Sequence, residues 1–179
     1  MGAEELNLTS EPVALDGVDP AEAPTMMLPG QLWHGGCPVD FDWVRREQID
    51  AVVDVADPDT YPPAGALEGR IYIKCALVDD SEAGPDEVLT GSLARLAANL
   101  VRDGRRVLVH CTFGRNRSGL LVALIVRDVL RVPGADALEH VRALRTDALN
   151  NETFADWLTR LPAPSAAAAP GPTSPVPAP

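Results

Sequence analysis

Lysine is nearly missing from this 179-residue chain: Lys74 is the one lysine among 15 basic residues, a skew that reads as coding bias rather than chemistry. No basic run offsets the 26 acids and the net charge of −11, which argues against a nucleic-acid or anionic-membrane partner. Six of those acids fall in residues 1–25, which contain no base, so the remainder is much closer to neutral. Cysteine is scarce as well. Cys37, Cys75 and Cys111 are odd in number and far apart, a pattern that argues against a disulfide framework and a zinc cluster and leaves a free-thiol role open. No apolar run reaches membrane-spanning length, and the N-terminus carries neither a basic stretch nor an apolar one behind it. A cytoplasmic, reducing setting is the expectation.

What is present suits one ordinary soluble domain, at 46% hydrophobic residues. Residues 1–25 are acidic, dotted with Pro12, Pro20 and Pro24, and lack any sustained period, so a mobile leader is expected there. Residues 26–161 carry the periodic segments. Residues 162–179 hold seven Pro, six Ala and no charge; such a composition cannot build a core and is expected to stay extended. There are no internal repeats.

Within the middle portion, 31–34 reads as a short strand ended by Gly35-Gly36, 40–48 as a short helix, and 51–56 as a second strand. The run Asp57-Pro58-Asp59-Thr60-Tyr61-Pro62-Pro63 opens a loop reaching about Arg70. In 71–78, alternation places Ile71, Ile73, Cys75 and Leu77 on one face and carries Asp79 to the same side. Residues 85–103 read as a helix with Pro85 in first position and a buried stripe of Leu89, Leu93, Leu96 and Leu100. Helices are expected over 120–130, 135–145 and about 152–161, the last capped by Asn150 or Asn151. The strand-rich and helix-rich segments alternate, so the fold class is α/β, a single domain with a short, mostly parallel sheet flanked by helices. Trp33 and Trp43 are expected to pack, and His34, a lone histidine beside a turn, to be structural.

Chemistry concentrates in His110-Cys111-Thr112-Phe113-Gly114-Arg115-Asn116-Arg117-Ser118-Gly119, between the apolar strand-like run Val107-Leu108-Val109 and an apolar helical one. A strand-loop-helix junction of this kind is an anion site: backbone N–H groups of residues 112–117 can converge, and the helix N-terminus adds partial positive charge. Gly114 permits a conformation closed to other residues. Arg117, six residues beyond Cys111, can hold two oxygens of a phosphate with its planar guanidinium. The same field favours thiolate over thiol at Cys111. Ser118 can donate to that sulfur, and Asn116 can brace the loop. A Cys with Arg six residues later is a weak signal by itself; His before, Gly three after and Ser seven after together make coincidence a poor rival.

HCTFGRNRS resembles the HC-x-x-G-x-x-R-S signature of the cysteine-dependent protein tyrosine phosphatase superfamily, and the small size resembles its dual-specificity branch. The resemblance implies Cys111 as nucleophile, Arg117 as phosphate clamp, Ser118 as helper of the second step, and Thr112, Phe113, Gly114, Arg115 and Asn116 as the rest of the phosphate cradle. His110 would support the cysteine from behind. An aspartate just after a strand is the general acid in such enzymes, and Tyr72-Ile73-x-Cys75-x-Leu77-x-Asp79 fits it, with Asp80 the neighbouring alternative. The segment from Val141 to Phe154 resembles the closing region of the small bacterial-type enzymes, where Arg142 and Arg145 are expected to be solvated or paired rather than on substrate. Neither cofactor nor metal is implied. Expected substrates are phosphotyrosine and phosphoserine or phosphothreonine in proteins, with a phosphoinositide or other phosphomonoester as the alternative and a non-catalytic phosphate-binding module as the rival class. An activated Cys111 would be peroxide-sensitive, with Cys75 as the candidate resolving thiol.

Overall fold

The computed structural model describes residues 24–38 and 41–165. Most of the expected leader and most of the expected Pro/Ala-rich tail lie outside the described residues. Five strands form one sheet: β1 (Thr25–Leu28), β2 (Leu32–Gly35), β3 (Ala51–Asp54), β4 (Ile71–Lys74) and β5 (Val107–His110), in the order β1-β2-β5-β3-β4. All neighbours are parallel except β1 with β2. β5 is central, and its last residue, His110, stands level with Gly35 and Asp54 at the carboxyl ends of the neighbouring strands. That end of a parallel sheet is where α/β folds place their ligands.

Alternation along the strands separates two cores. Leu32, Ala51, Val53, Val107 and Val109 face the larger one, which is covered by α2 (Glu87–Arg102), α3 (Asn116–Leu130), α4 (Gly134–Leu144) and α5 (Glu152–Thr159). Trp33, Val52 and Leu108 face the smaller one with Trp43 and Val44 of α1 (Asp42–Arg46) and Ile49. Trp33 and Trp43 meet edge to face, ring centroids 6.5 Å apart, so both tryptophans pack as expected. α3 is buried at every position from Arg117 to Val126. The helix lying against the sheet therefore carries the signature arginine and serine in its first turn.

Three expectations need correction. β4 stops at Lys74 rather than running to residue 78, because it is an edge strand; the next residues leave the ladder, keeping contact only through the N–H groups of Cys75 and Leu77. α2 begins at Glu87, with Asp86 as the cap accepting from the Leu89 N–H at 2.9 Å, so Pro85 precedes the cap. The buried face of α2 is Thr90, Leu93, Ala94, Ala97, Ala98 and Val101, whereas Leu89 and Leu96 are exposed. Alanines let α2 approach α3 closely, and that close packing outweighs leucine spacing. β1 and its antiparallel pairing are additional to the sequence reading.

Candidate active site

The chain leaves β5 at His110 and turns through residues 111–115 into α3. Gly114 has φ of +63°, and a Cβ there would run into the backbone of Gly35 and Gly36, lying 2.7 Å from the Gly35 carbonyl oxygen. Both the left-handed conformation and the close approach of two backbones demand glycine. The loop is held from several sides. Cys37 N–H donates to the Thr112 carbonyl at 3.3 Å, and Leu149 N–H to the Arg115 carbonyl at 3.3 Å. Arg145, buried, donates from Nε to the Gly114 carbonyl at 2.9 Å, and Asn116 Oδ1 accepts from the Asn151 N–H at 2.9 Å. Arg142 turns to the carbonyls of Ala148 and Leu149. Both arginines of α4 and its end are thus occupied with backbone.

Cys111 is almost wholly buried, its Sγ 3.1 Å from Ser118 Oγ. Ser118 Oγ in turn lies 3.0 Å from His34 Nε2 and 3.4 Å from the Gly35 carbonyl. With Cys111, Asp79, Phe113, Arg115, Asn116, Arg117 and Asn150 line a cavity of about 170 Å³. A larger cavity of about 480 Å³ opens beside the N-terminus of α2, lined mainly by apolar residues such as Leu77, Val78, Leu89 and Phe154; it touches none of the signature loop.

Arg117 exposes only 9% of its side chain. Its terminal edge is gripped by Asp57, Nη1 donating to Oδ1 at 2.7 Å and Nη2 more weakly to Oδ2 at 3.5 Å. Thr112 Oγ1 accepts from Arg117 Nη2 at 3.0 Å and donates to Asp57 Oδ2 at 2.8 Å. These hydrogen bonds, Arg117 first and Thr112 second, hold the Asp57 carboxyl below the usual carboxylate range. Burial disfavours the Arg117 charge, but the Asp57 bond and the facing Cys111 and Asp79 outweigh it and raise its basicity. Arg117 Nε is buried with no partner among the described residues, so one donor of the guanidinium's lateral edge is left unmet there while the terminal edge holds Asp57 and Thr112.

The two neighbouring acids after β4 part company. Asp79 lines the Cys111 cavity and accepts from Asn151 Nδ2 at 2.9 Å. Asp80 turns away, lining the larger cavity, and its carboxylate accepts from the N–H groups of Glu82 and Ala83 at 2.7 and 3.2 Å, which lowers its pKa. Asn151 also caps α5 through the Phe154 N–H at 3.2 Å. One asparagine therefore ties the acid loop, the signature loop and a helix start together.

Behind the nucleophile, His110 Nε2 stands 3.9 Å from Asp54 Oδ2. Asp54 is buried and accepts from Ala56 N–H at 2.8 Å, Tyr72 Oη at 2.8 Å and Lys74 Nζ at 3.1 Å. Burial lowers the His110 pKa against the pull of Asp54, which favours the neutral imidazole. The three cysteines are free. Cys37, rather than Cys75, is bonded to the signature loop, and burial pushes both thiols up.

Asp57, Asn150, Asn151 and His34 are residues of this site that sequence reading did not place in it. Asp57 had one usable signal, its position in the loop directly after a strand beside the signature strand. Asn151 was read only as a cap.

The family model for the dual specificity phosphatase catalytic domain matches residues 41–162. The chain belongs to this family. Rat dual specificity protein phosphatase 12 is 26% identical over 163 residues, covering 89% of this chain and 45% of that protein, so the chain spans about half the length of this curated relative. Among solved structures, Tk-PTP in its active form superposes with a TM-score of 0.65 at 22% identity, covering 76% of this chain and 95% of that one. Human DUSP28 gives 0.62 at 22% identity, covering 75% and 89%. These likenesses establish the fold: an α/β single domain with a five-stranded, mostly parallel sheet. By family this is a dual specificity phosphatase catalytic domain. Among the described residues no helix is long and apolar enough to cross a membrane.

Proposed function

We propose that this dual-specificity phosphatase domain hydrolyses phosphate monoesters on protein tyrosine, serine and threonine through a phosphocysteine at Cys111. One observation carries the reading: Cys111, Arg117 and Asp79 line a single cavity of about 170 Å³. In the first displacement the Cys111 sulfur attacks phosphorus, and the leaving oxygen departs with a proton from Asp79. In the second, a water oxygen attacks phosphorus, the S–P bond breaks with its electron pair returning to sulfur, and the water proton passes to Asp79. Arg117 and the N–H groups of the loop and first turn of α3 bear the equatorial charge of both transition states.

The small cavity and the exposed Phe113 at its edge suit a phosphorylated side chain presented on a protein surface, with apolar contact for a flanking residue. A phosphoinositide is the second reading, favoured by Arg115, which adds a cation to the same lining; the acidic balance of the chain opposes it.

The test is phosphate release from an aryl phosphate, phosphotyrosine and phosphothreonine peptides, and phosphoinositides. Wild type should turn over peptides faster than lipids, Cys111→Ser should be inactive, and Asp79→Asn should lose most activity on peptides while retaining more on an activated aryl ester. A folded wild type that cleaves none of them, but whose Cys111→Ser variant holds phosphopeptide tightly, would replace this reading with a phosphate-binding module.

A further inference from the structure

His34 takes no part in the two displacements above, yet one oxygen joins it to the nucleophile. The ring hangs from β2 on the face of the larger core, wholly buried, against the first turn of α3, where its Cε1 lies in van der Waals reach of Gly119. Its Nε2 meets Ser118 Oγ at 3.0 Å, and its Nδ1 has no partner among the described residues. Burial, and secondarily the Arg145 charge, push its pKa down to about 3. The ring therefore carries one N–H, and which nitrogen holds it decides where the Ser118 proton goes.

If Nδ1 held the hydrogen, a buried N–H would be orphaned and Nε2 would become an acceptor drawing the Ser118 hydroxyl away from sulfur. If Nε2 holds it, Nδ1 keeps only an unfilled lone pair, the cheaper of the two deficits. Ser118 Oγ then accepts from His34 and must send its own hydrogen elsewhere. Two acceptors are in reach, Cys111 Sγ at 3.1 Å and the Gly35 carbonyl at 3.4 Å. The sulfur is the nearer of the two, and it is the atom on which charge develops when the S–P bond breaks.

We propose that His34 is a positioning residue: its Nε2–H donates to Ser118 Oγ and so commits the Ser118 hydroxyl to the Cys111 sulfur. The inference rests on Cys111 being the nucleophile, as read above. Its effect falls on the second displacement, when the S–P bond breaks and sulfur regains its electron pair. The hydroxyl aimed at sulfur meets that charge as it develops. Without His34 the hydroxyl can turn to the Gly35 carbonyl, and the phosphocysteine should hydrolyse more slowly.

Two measurements test this. In protein labelled with ¹⁵N-histidine, the ring nitrogen shifts of His34 should report the Nε2–H tautomer, free and with vanadate bound; an Nδ1–H tautomer overturns the proposal. This needs no variant and no turnover, so it stands even if no substrate is cleaved and the phosphatase reading fails. In rapid-quench kinetics with an aryl phosphate, His34→Leu should slow phosphoenzyme breakdown roughly tenfold and leave the first step less affected. His34→Gln, whose amide N–H can make the same donation, should recover part of that loss. In a Ser118→Ala background His34→Leu should add little, because its effect runs through the hydroxyl. Equal slowing in both backgrounds would mean general loosening and would refute a role through Ser118.

Discussion

Acid should destabilise this fold through a side chain that no solvent reaches. His34 is wholly buried, and its pKa stands near 3 in the folded chain, lowered by desolvation first and by Arg145 second. In the unfolded chain an imidazole takes its proton near 6.5. Between those values the unfolded state binds a proton that the native state refuses, so stability rises with pH and is lost as pH falls below about 6.5. Each pH unit in that window removes about 1.4 kcal/mol. Going from pH 7 to pH 5 should therefore cost about 2 kcal/mol from His34 alone, a large share of the roughly 5–15 kcal/mol that holds a domain together. Other groups titrate over the same range, His110 among them with a pKa shifted the same way. A difference against His34→Gln removes them. The assay is urea unfolding at pH 7, 6 and 5, followed by the fluorescence of the buried Trp33 and Trp43. The wild type should lose about 2 kcal/mol more than the variant over this interval. Parallel losses would show that His34 titrates in the fold much as it does in the open chain, and would refute the reasoning.

Further outcomes follow from single contacts. At Gly114→Ala the left-handed φ costs about 1–2 kcal/mol and the overlap with the Gly35 and Gly36 backbone adds to it; turnover should vanish and the urea midpoint fall, and wild-type turnover would contradict the loop geometry. Asn151→Ala removes the α5 cap, about 1 kcal/mol, and frees Asp79; kcat should drop several-fold, more for peptides than for an activated aryl ester. A stability loss with kcat unchanged would mean that Asn151 serves the helix alone. Asp57→Ala leaves the terminal edge of Arg117 with Thr112 only, so KM for an aryl phosphate should rise several-fold with a smaller change in kcat. A lowered KM would instead mark Asp57 as a competitor for the phosphate seat.

Local chemistry made most of the fold legible. Short apolar runs marked β3 and β5, and the asparagines before residue 152 marked the start of α5 because a cap is a contact between near neighbours. The face of α2 was misread for the opposite reason: leucine spacing is local, but the choice of Ala94, Ala97 and Ala98 as the buried stripe depends on how closely α3 comes. The signature loop was readable because cradle, nucleophile and clamp lie within eight consecutive residues. Asp57 and His34 were not, since they meet Arg117 and Ser118 from 60 and 84 residues away. Only the order β2-β5-β3 brings them to either side of the nucleophile. The alternation that set Asp79 apart from Asp80 sits between these cases. β4 ends before either residue, yet the two carboxyls still face different cavities.

Cys111 stands at the end of a central strand between two buried histidines that approach from opposite faces of the sheet: His34 through Ser118 on the α3 face, and His110 beside Asp54 on the α1 face. Burial lowers the pKa of both, which disfavours an imidazolium beside the sulfur. The positive charge facing the Cys111 cavity then comes from Arg117, Arg115 and the N-terminus of α3. Attraction for phosphate and orientation of the nucleophile are thereby divided between different groups. Replacing an arginine of the cradle should weaken phosphate binding at every pH where the enzyme folds, while replacing a histidine should change the partition between the two displacements and leave inorganic phosphate inhibition nearly unchanged. Competitive inhibition by phosphate, measured on Arg115→Ala and His34→Gln side by side, separates the two roles. Equal weakening in both variants would mean that the histidine shapes the cradle itself rather than the serine proton.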